Sequence, residues 1–225
     1  MFLGNISLAE SQMKVHFPIA LVTVAFISLT PIIQAQSIWI GLRGTGSVPT
    51  GSFADNQTSS DATLIEGAKT GYGYGLDAGA SLGMFGVYGG FDHIKFDCET
   101  TTCTSTGKFT LQGVTVGVKL SPVSVSMLRP FVKAGVTFND LQRGYGSGYS
   151  SSSNTLTTDK TPGYELGAGA DLSLMGLFSI VPQVRYIGQK LKAKVPGVTS
   201  PNAEGQSVNY LSFDLGLSVH TPFGG

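Results

Sequence analysis

Apolar and polar residues alternate along most of the chain after residue 36, and this two-residue period is that of a β-strand. The alternation is clearest between Thr161 and Leu174. One face of that segment holds Tyr164, Leu166, Ala168, Ala170 and Leu172, and the other holds Glu165, Gly167, Gly169 and Asp171. No window of the chain shows a convincing helical stripe, so the pattern predicts an all-β domain.

Eight segments carry the alternation, and each is close to the roughly ten residues that a tilted membrane strand needs. They lie at 37–48, 71–82, 87–97, 113–120, 129–138, 161–174, 177–187 and 210–219. The third segment is irregular in phase between Asp92 and Phe96, and a β-bulge there would explain the irregularity.

The links between these segments alternate in length. Short links lie at 83–86, 121–127 and 173–176, and long polar links lie at 49–70, 98–108, 139–162 and 188–207. Outer-membrane barrels have short periplasmic turns at one rim and longer extracellular loops at the other. The sequence therefore predicts a transmembrane eight-stranded antiparallel up-and-down β-barrel that displays four loops outside the cell.

Alternation alone does not say which face points inward, and a soluble, lipocalin-like barrel with an apolar interior is the alternative. Composition separates the two. Charged residues make up 12% of the chain, against about 25% in soluble domains, and Gly, Ser and Thr dominate the polar face. That face suits a narrow lumen, so we expect the apolar face to meet lipid. The net charge of zero gives no support to a nucleic-acid partner.

Aromatic residues on the apolar face lie near the long links, where an interfacial girdle is expected. These residues are Tyr72, Tyr74, Phe138, Tyr164 and Tyr186.

The opposite face carries charges of both signs. The cations are Arg43, Lys119, Arg129, Lys133 and Arg185, and the anions are Asp77, Asp92, Glu165, Asp171 and Asp214. Eight strands leave an interior just wide enough for side chains, and an unpaired buried charge costs several kcal/mol. We therefore expect a lumen plugged by ion pairs, with a small-solute channel as the alternative.

The N-terminal segment has the parts of a secretory signal peptide. Lys14 precedes an apolar run over 17–33, and Ala35 provides a small residue at the exit. We expect residues 1–35 to be removed after Ala35, with Met13 as an alternative start, and residues 36–225 to form the barrel. A transmembrane anchor is disfavoured because Pro18 and Pro31 interrupt the run.

Export would place the only two cysteines, Cys98 and Cys103, in an oxidising compartment. We therefore expect them to form a local disulfide. A metal site is disfavoured because structural zinc takes four ligands and only His93 is near. We expect no cofactor.

Three stretches resemble the small opacity-type, porin-like outer-membrane proteins of the eight-stranded barrel superfamily. They lie at 128–136 (LRPFVKAGV), 163–171 (GYELGAGAD) and 213–218 (FDLGLS). The resemblance implies a monomer in the outer membrane of a Gram-negative cell, inserted by the barrel assembly machinery and in contact with lipopolysaccharide. It also implies a surface role such as adhesion to a host or cell-surface ligand. Many members end on an aromatic residue, whereas here two glycines follow Phe223, and we expect no periplasmic domain after the last strand.

Some small barrels are lipid-modifying enzymes, and the mature chain offers His93 and His220 as candidate bases. Neither has triad-like spacing to a nucleophile and a carboxylate. We therefore expect a non-enzymatic protein with no catalytic residue, and keep a lipid-modifying enzyme as an alternative.

Overall fold

The structure is a computed structural model. It describes residues 36–54, 67–98, 108–125, 127–144, 156–158, 161–175, 177–191, 193–194 and 206–223. The predicted signal peptide and Cys103 lie outside these residues.

Long antiparallel strands make up the described chain. The strands are β1 (Gln36–Thr50), β2 (Ala68–Leu82), β3 (Phe85–Cys98), β4 (Lys108–Leu120), β5 (Leu128–Gly144), β6 (Leu156–Thr158), β7 (Thr161–Met175), β8 (Phe178–Leu191), β9 (Ala193–Lys194) and β10 (Gln206–Phe223). A single 3-10 turn, Gly51–Phe53, follows β1. No helix in the described part of the chain is long and apolar enough to cross a membrane.

Eight of the strands close into a ring. Each pairs with its neighbour in the order β1, β2, β3, β4, β5, β7, β8 and β10, and β10 pairs back to β1 from Gln36–Phe223 to Thr50–Asn209. The two short strands β6 and β9 extend the sheet beyond β5. The predicted eight-stranded antiparallel up-and-down barrel is confirmed.

The two ends of the barrel differ. At one end, which we call the turn end, β2 joins β3, β4 joins β5 and β7 joins β8 through short turns. The first of these turns contains Gly83 at φ +60°, a conformation that glycine adopts without strain. At the other end, the loop end, the strands run further into the long links than the alternation predicted.

Apolar side chains cover the outside of the middle of the barrel. Leu42 is 62% exposed, Val116 59% and Leu215 64%. Further exposed members of this belt are Ile38, Ile40, Leu76, Val87, Val114, Val118, Val132, Val136, Leu166, Val184, Phe213 and Leu217. The inward positions between them are occupied by glycine, hydroxyl and charged residues. The barrel is thus inside-out relative to a soluble one, as the composition predicted.

The prediction of a β-bulge between Asp92 and Phe96 is wrong. The pairing of β3 with β4 is regular across that segment, and the register shift lies instead in β2, between Ala68 and Gly71. The alternation in β3 is irregular because its apolar residues point outward at Val87 and inward at Ile94 and Phe96. Ile94 and Phe96 are buried inside the barrel, whereas Lys95 is exposed outside.

Apolar side chains therefore fill the lumen at the loop end. This loop-end core consists of Phe53, Ala68, Ile94, Phe96, Phe109, Leu111, Leu141, Ile187, Leu191, Val208 and Tyr210. Phe53 lies edge-on against Phe96 and Phe109, with ring centroids 5.1 and 5.9 Å apart. Above the belt the barrel thus has the pattern of a soluble protein, with an apolar inside and polar outside, which indicates that this part stands in water.

Candidate functional site

The middle of the lumen contains a network of buried charges centred on Arg185. Its side chain is fully buried and projects from β8. The guanidinium donates through Nε to Asp214 at 2.5 Å and through Nη1 to Asp92 and Glu165, each at 2.9 Å. These carboxylates come from β10, β3 and β7, so one cation joins four strands of the ring.

Arg43 on β1 extends this network. It donates through Nη2 to Asp92 at 2.8 Å and forms an ion pair with Asp77 on β2. Arg43 and Arg185 therefore share the carboxylate of Asp92. A buried carboxylate that accepts from two guanidinium groups is held in one position, because a shift would break both of these ion pairs.

Glu165 receives a second set of donors. Lys133 Nζ lies 3.1 Å from Oε1 of Glu165, and the hydroxyl of Tyr88 donates to the same oxygen at 2.9 Å. Lys133 also lies over the ring of Tyr88, 5.0 Å from its centroid. Tyr88 was absent from the residues predicted for the lumen, although it lies between Gly86 and Gly90 in the inward phase of β3. Extending the alternation through β3 would have placed it there.

Glycines make room for these large side chains. A Cβ atom at Gly117 would lie 2.7 Å from the ring of Tyr88, and one at Gly75 would lie 2.6 Å from the guanidinium of Arg43. At these two positions glycine is therefore a packing requirement of the charged lumen.

Polar hydroxyl groups complete the coordination of Asp214. Ser212 donates to Oδ1 of Asp214 at 2.8 Å, and Thr45 donates to the same oxygen. Both residues are buried. Asp214 thus has partners for both carboxylate oxygens, as a buried charge requires.

A second cluster lies nearer the turn end. Lys119 donates to both oxygens of Asp171, at 2.8 and 3.0 Å. Its ammonium also lies 4.0 Å from the ring centroid of Phe131 and 4.9 Å from that of Trp39. Sequence reasoning missed both aromatic partners, because they come from other strands. Phe131 lies on β5, which pairs with the strand of Lys119, and Trp39 lies on β1, three places away in the ring.

Nine of the ten predicted lumen charges belong to these two clusters. Arg129 does not: its side chain is exposed at the turn end of β5, and no ion pair of Arg129 occurs among the described residues. It lies in the inward phase of β5, but so close to the rim that solvent reaches it. Four buried cations therefore pair with five carboxylates.

Little free space remains around the network. A cavity of about 30 Å³ is bordered by Trp39, Asp77, Lys119, Asp171 and Ser218, among others. Roughly 10–15 Å³ of such volume holds one water, so the cavity has room for a water or two. The arrangement can neutralise charge and connect strands, but this cavity is too small for an organic substrate.

The predicted aromatic residues occupy the outer face below the loop end. Tyr72, Tyr74 and Tyr164 are exposed, whereas Phe138 and Tyr186 are half-buried. The rings of Tyr164 and Tyr186 lie 6.0 Å apart. Because the strands continue past them, these residues lie within strands, several positions before the long links begin.

The two candidate catalytic histidines lie far apart in the fold. His93 faces outward and stacks on Tyr74 with centroids 5.2 Å apart. His220 lies in the last strand near the turn end, where its Nε2 is 2.9 Å from Ser218 Oγ.

In the described part of the chain, no three His, Cys, Asp or Glu residues are grouped to hold a metal ion. Cys98 is disulfide-bonded, and its predicted partner Cys103 lies outside the described residues.

Comparisons with known proteins bear on the fold. No family model and no curated protein sequence matches this chain. Among solved structures, the outer-membrane protein OprG from Pseudomonas aeruginosa is 16% identical, with a TM-score of 0.57 over 83% of this chain and 96% of that one.

Two further structures give the same result. The Neisserial surface protein A is 12% identical with a TM-score of 0.53, covering 83% of this chain and 98% of that one. A major outer-membrane protein from Thermus thermophilus is 13% identical with a TM-score of 0.50, covering 82% and 99%. The narrower opacity-type resemblance stays a prediction. This chain has the fold of the small eight-stranded outer-membrane barrels.

Proposed function

We propose that the protein is an outer-membrane barrel with a closed lumen, whose function lies in the surface it presents outside the cell. The observation that carries this proposal is the fully buried Arg185, which binds carboxylates of three other strands across the lumen. The side chains of the lumen connect the strands of the barrel to one another, so contact with lipid and with partners falls to the outer surface.

Two barriers lie in series along the axis. The charge network fills the middle of the barrel, and the loop-end core fills it above the belt. An ion crossing the lumen would have to break buried ion pairs and then enter an apolar environment without its hydration shell, and each step costs several kcal/mol. A small-solute channel is therefore the less favoured function.

The exposed belt supports placement in the outer membrane. Its fifteen apolar side chains are each 41–64% exposed, whereas soluble monomers rarely expose large contiguous apolar patches. Lipid contact, together with insertion by the barrel assembly machinery as a monomer, follows from this placement. The aromatic residues at the upper border of the belt would meet the lipopolysaccharide leaflet.

The remaining candidates for a functional surface are the four long links at the loop end. The long strands and the loop-end core beneath them form a rigid base that projects beyond the belt. A rigid scaffold that carries polar loops suits surface contact or adhesion, as loops on stable frameworks commonly carry binding. We assign the protein no enzymatic activity.

Conductance of the purified protein in planar bilayers tests the closed lumen. We expect no steady single-channel current, whereas a large and stable conductance would contradict the proposal. As a matched comparison, the Arg185→Ala variant removes the central cation. If only that variant conducts, the network is the barrier.

Binding to immobilised host matrix components tests the surface role. The full protein is compared with a form in which the link over 145–155 is replaced by a short turn. Binding that is lost on this replacement, with an unchanged heat-dependent gel shift, supports a loop-borne adhesin. Binding that is equal in both forms, or absent from both, argues against that role for this loop.

A further inference from the structure

The turn end carries an unusual set of exposed apolar side chains. Its three turns present Met84, Val123, Val125, Met127, Leu174 and Leu177, which are 47–66% exposed. We call these residues the turn collar. Turns in water are normally rich in Gly, Pro, Asn, Asp and Ser, so the solvent would be a poor environment for these residues.

The collar is also free of charge. Residues 78–91, 120–128 and 172–184, which include the turns and the adjoining strand ends, contain no Asp, Glu, Lys or Arg. The loop end offers the opposite picture, since Lys95, Asp97 and Lys108 are exposed there on the outer face. Arg129, which directly follows the second range, is the one exposed charge among the described residues of the turn end. The turn end is therefore far poorer in charge than the loop end.

Each of the three turns has a backbone carbonyl that is hydrogen-bonded within the protein. The carbonyl of Met84 accepts from Ser121 N at 2.8 Å, that of Met127 from Ser173 N at 2.9 Å, and that of Leu177 from His220 N at 2.8 Å. Each turn is in this way attached to the end of a neighbouring strand. Backbone groups can enter a lipid environment only when they are paired within the protein, and these carbonyls meet that condition.

The height of the belt gives the position of the collar. Tyr72 and Leu82 lie ten positions apart on β2, and at about 3.3 Å per residue and about 40° of tilt they span roughly 25 Å along the axis. Outer-membrane barrels have an apolar band of about 25 Å. The collar follows immediately below this band, where the acyl chains meet the headgroups.

We propose that the turn collar is immersed in the periplasmic leaflet of the outer membrane, so that the barrel ends within the lipid and does not project into the periplasm. This inference rests on the proposed placement in the outer membrane. The occupant is lipid because the collar continues the apolar belt and because its turns join β2 to β3, β4 to β5, and β7 to β8. They occupy three quarters of the ring, and the ends of β10 and β1 occupy the fourth. A docked protein would contact one side, whereas annular lipid contacts every side.

Tryptophan fluorescence in vesicles of brominated phosphatidylcholine tests the immersion. The only native tryptophan, Trp39, is first replaced by Phe. Met127→Trp is then introduced in the collar and Val116→Trp in the middle of the belt. Ser52→Trp, in the exposed turn beyond the loop end of β1, lies outside the belt. Met84→Trp repeats the collar test in a separate turn, and the heat-dependent gel shift verifies that each variant is folded.

With bromine near the headgroup end of the acyl chains, we expect Met127→Trp and Met84→Trp to be strongly quenched and Ser52→Trp to be unaffected. With bromine deep in the chains, we expect Val116→Trp to be quenched most. Collar tryptophans as bright as Ser52→Trp, together with a quenched Val116→Trp, would overturn the inference and leave the membrane placement intact. An unquenched Val116→Trp would instead overturn the proposed function.

Discussion

Arg185 Nη1 lies 2.9 Å from Asp92 Oδ2 across the lumen, although 93 positions separate the two residues in the chain. Their strands, β8 and β3, are four places apart in the ring of eight and therefore lie opposite each other. The ion pair spans the barrel as a cross-brace. Breaking such a contact affects the whole ring, because every strand depends on closure for its hydrogen bonds.

Replacing Arg185 by Leu should destabilise the barrel. The change leaves Asp92, Glu165 and Asp214 without their shared cation, and removal of one partner of a buried ion pair costs roughly 3–5 kcal/mol. We expect the heat-dependent gel shift to occur at a clearly lower temperature. Arg129→Leu is the control, because the exposed Arg129 has no ion-pair partner among the described residues, and its midpoint should stay near that of the unmodified protein. Equal midpoints for both variants would argue against the brace.

Tyr88→Phe should weaken the barrel by a smaller amount. Only the hydroxyl that donates to Glu165 is lost, and a hydrogen bond to a charged group contributes about 1.5–3 kcal/mol. Urea-induced unfolding in detergent, followed by tryptophan fluorescence, measures the change. Tyr74→Phe removes an exposed hydroxyl and should leave the midpoint unchanged. A midpoint of Tyr88→Phe that does not move would show that Lys133 and Arg185 suffice for Glu165.

The glycine positions differ in what they tolerate. Gly117→Ala should destabilise the protein, because the new Cβ would meet the carbonyl of Ala134 on the neighbouring strand as well as the ring of Tyr88. Overpacking of this kind costs about 1–3 kcal/mol. Gly44→Ala places a methyl group where nothing lies within 4 Å, so we expect no loss of stability. The two variants are compared by gel shift, and similar losses in both would mean that space at Gly117 is not limiting.

The loop-end core should depend on Phe53. Phe53→Ala removes a ring that is fully buried against Phe96 and Phe109, and Phe→Ala changes in cores cost roughly 3–5 kcal/mol. Because Phe53 lies outside the strands, we expect local opening of the loop end, seen as faster proteolysis there, more than loss of the barrel. Phe213→Ala, on the exposed belt, should not increase proteolysis. If both variants are cut at the same rate, Phe53 does not close the loop end.

Much of the fold could be read from the chain because a two-residue period is a local signal. The apolar Val116 and the adjacent Gly117 are assigned to opposite faces of their strand by residue type alone. The alternation of short and long links assigns all the short turns to one end of the barrel. The limit of this reading is visible at Ile94 and Phe96. The pairing of β3 with β4 stays regular there, but these apolar side chains point inward, because at this height the interior is filled by the loop-end core, while Lys95 is exposed outside.

The partners within the lumen could not be read in the same way. The sequence predicted that Arg185 and Asp92 both point into the lumen. That prediction does not give the height of either residue along the barrel axis, nor which residue lies opposite it across the ring. Arg129 illustrates the difference, since it shares the inward phase of Lys133 and yet lies at the rim in solvent. Tyr88 and Trp39 reach charged groups on other strands only because the shear of the closed barrel sets them at matching heights.

The sequence by itself therefore determined the number of strands in the ring, the face of most residues and the alternation of short and long links, all of which depend on neighbours within a few positions. Only the tertiary structure decided which charges pair, where the apolar interior begins and how the turns bind to adjacent strands. Those features depend on ring closure and register, which join residues far apart in the chain and leave no periodic trace in it.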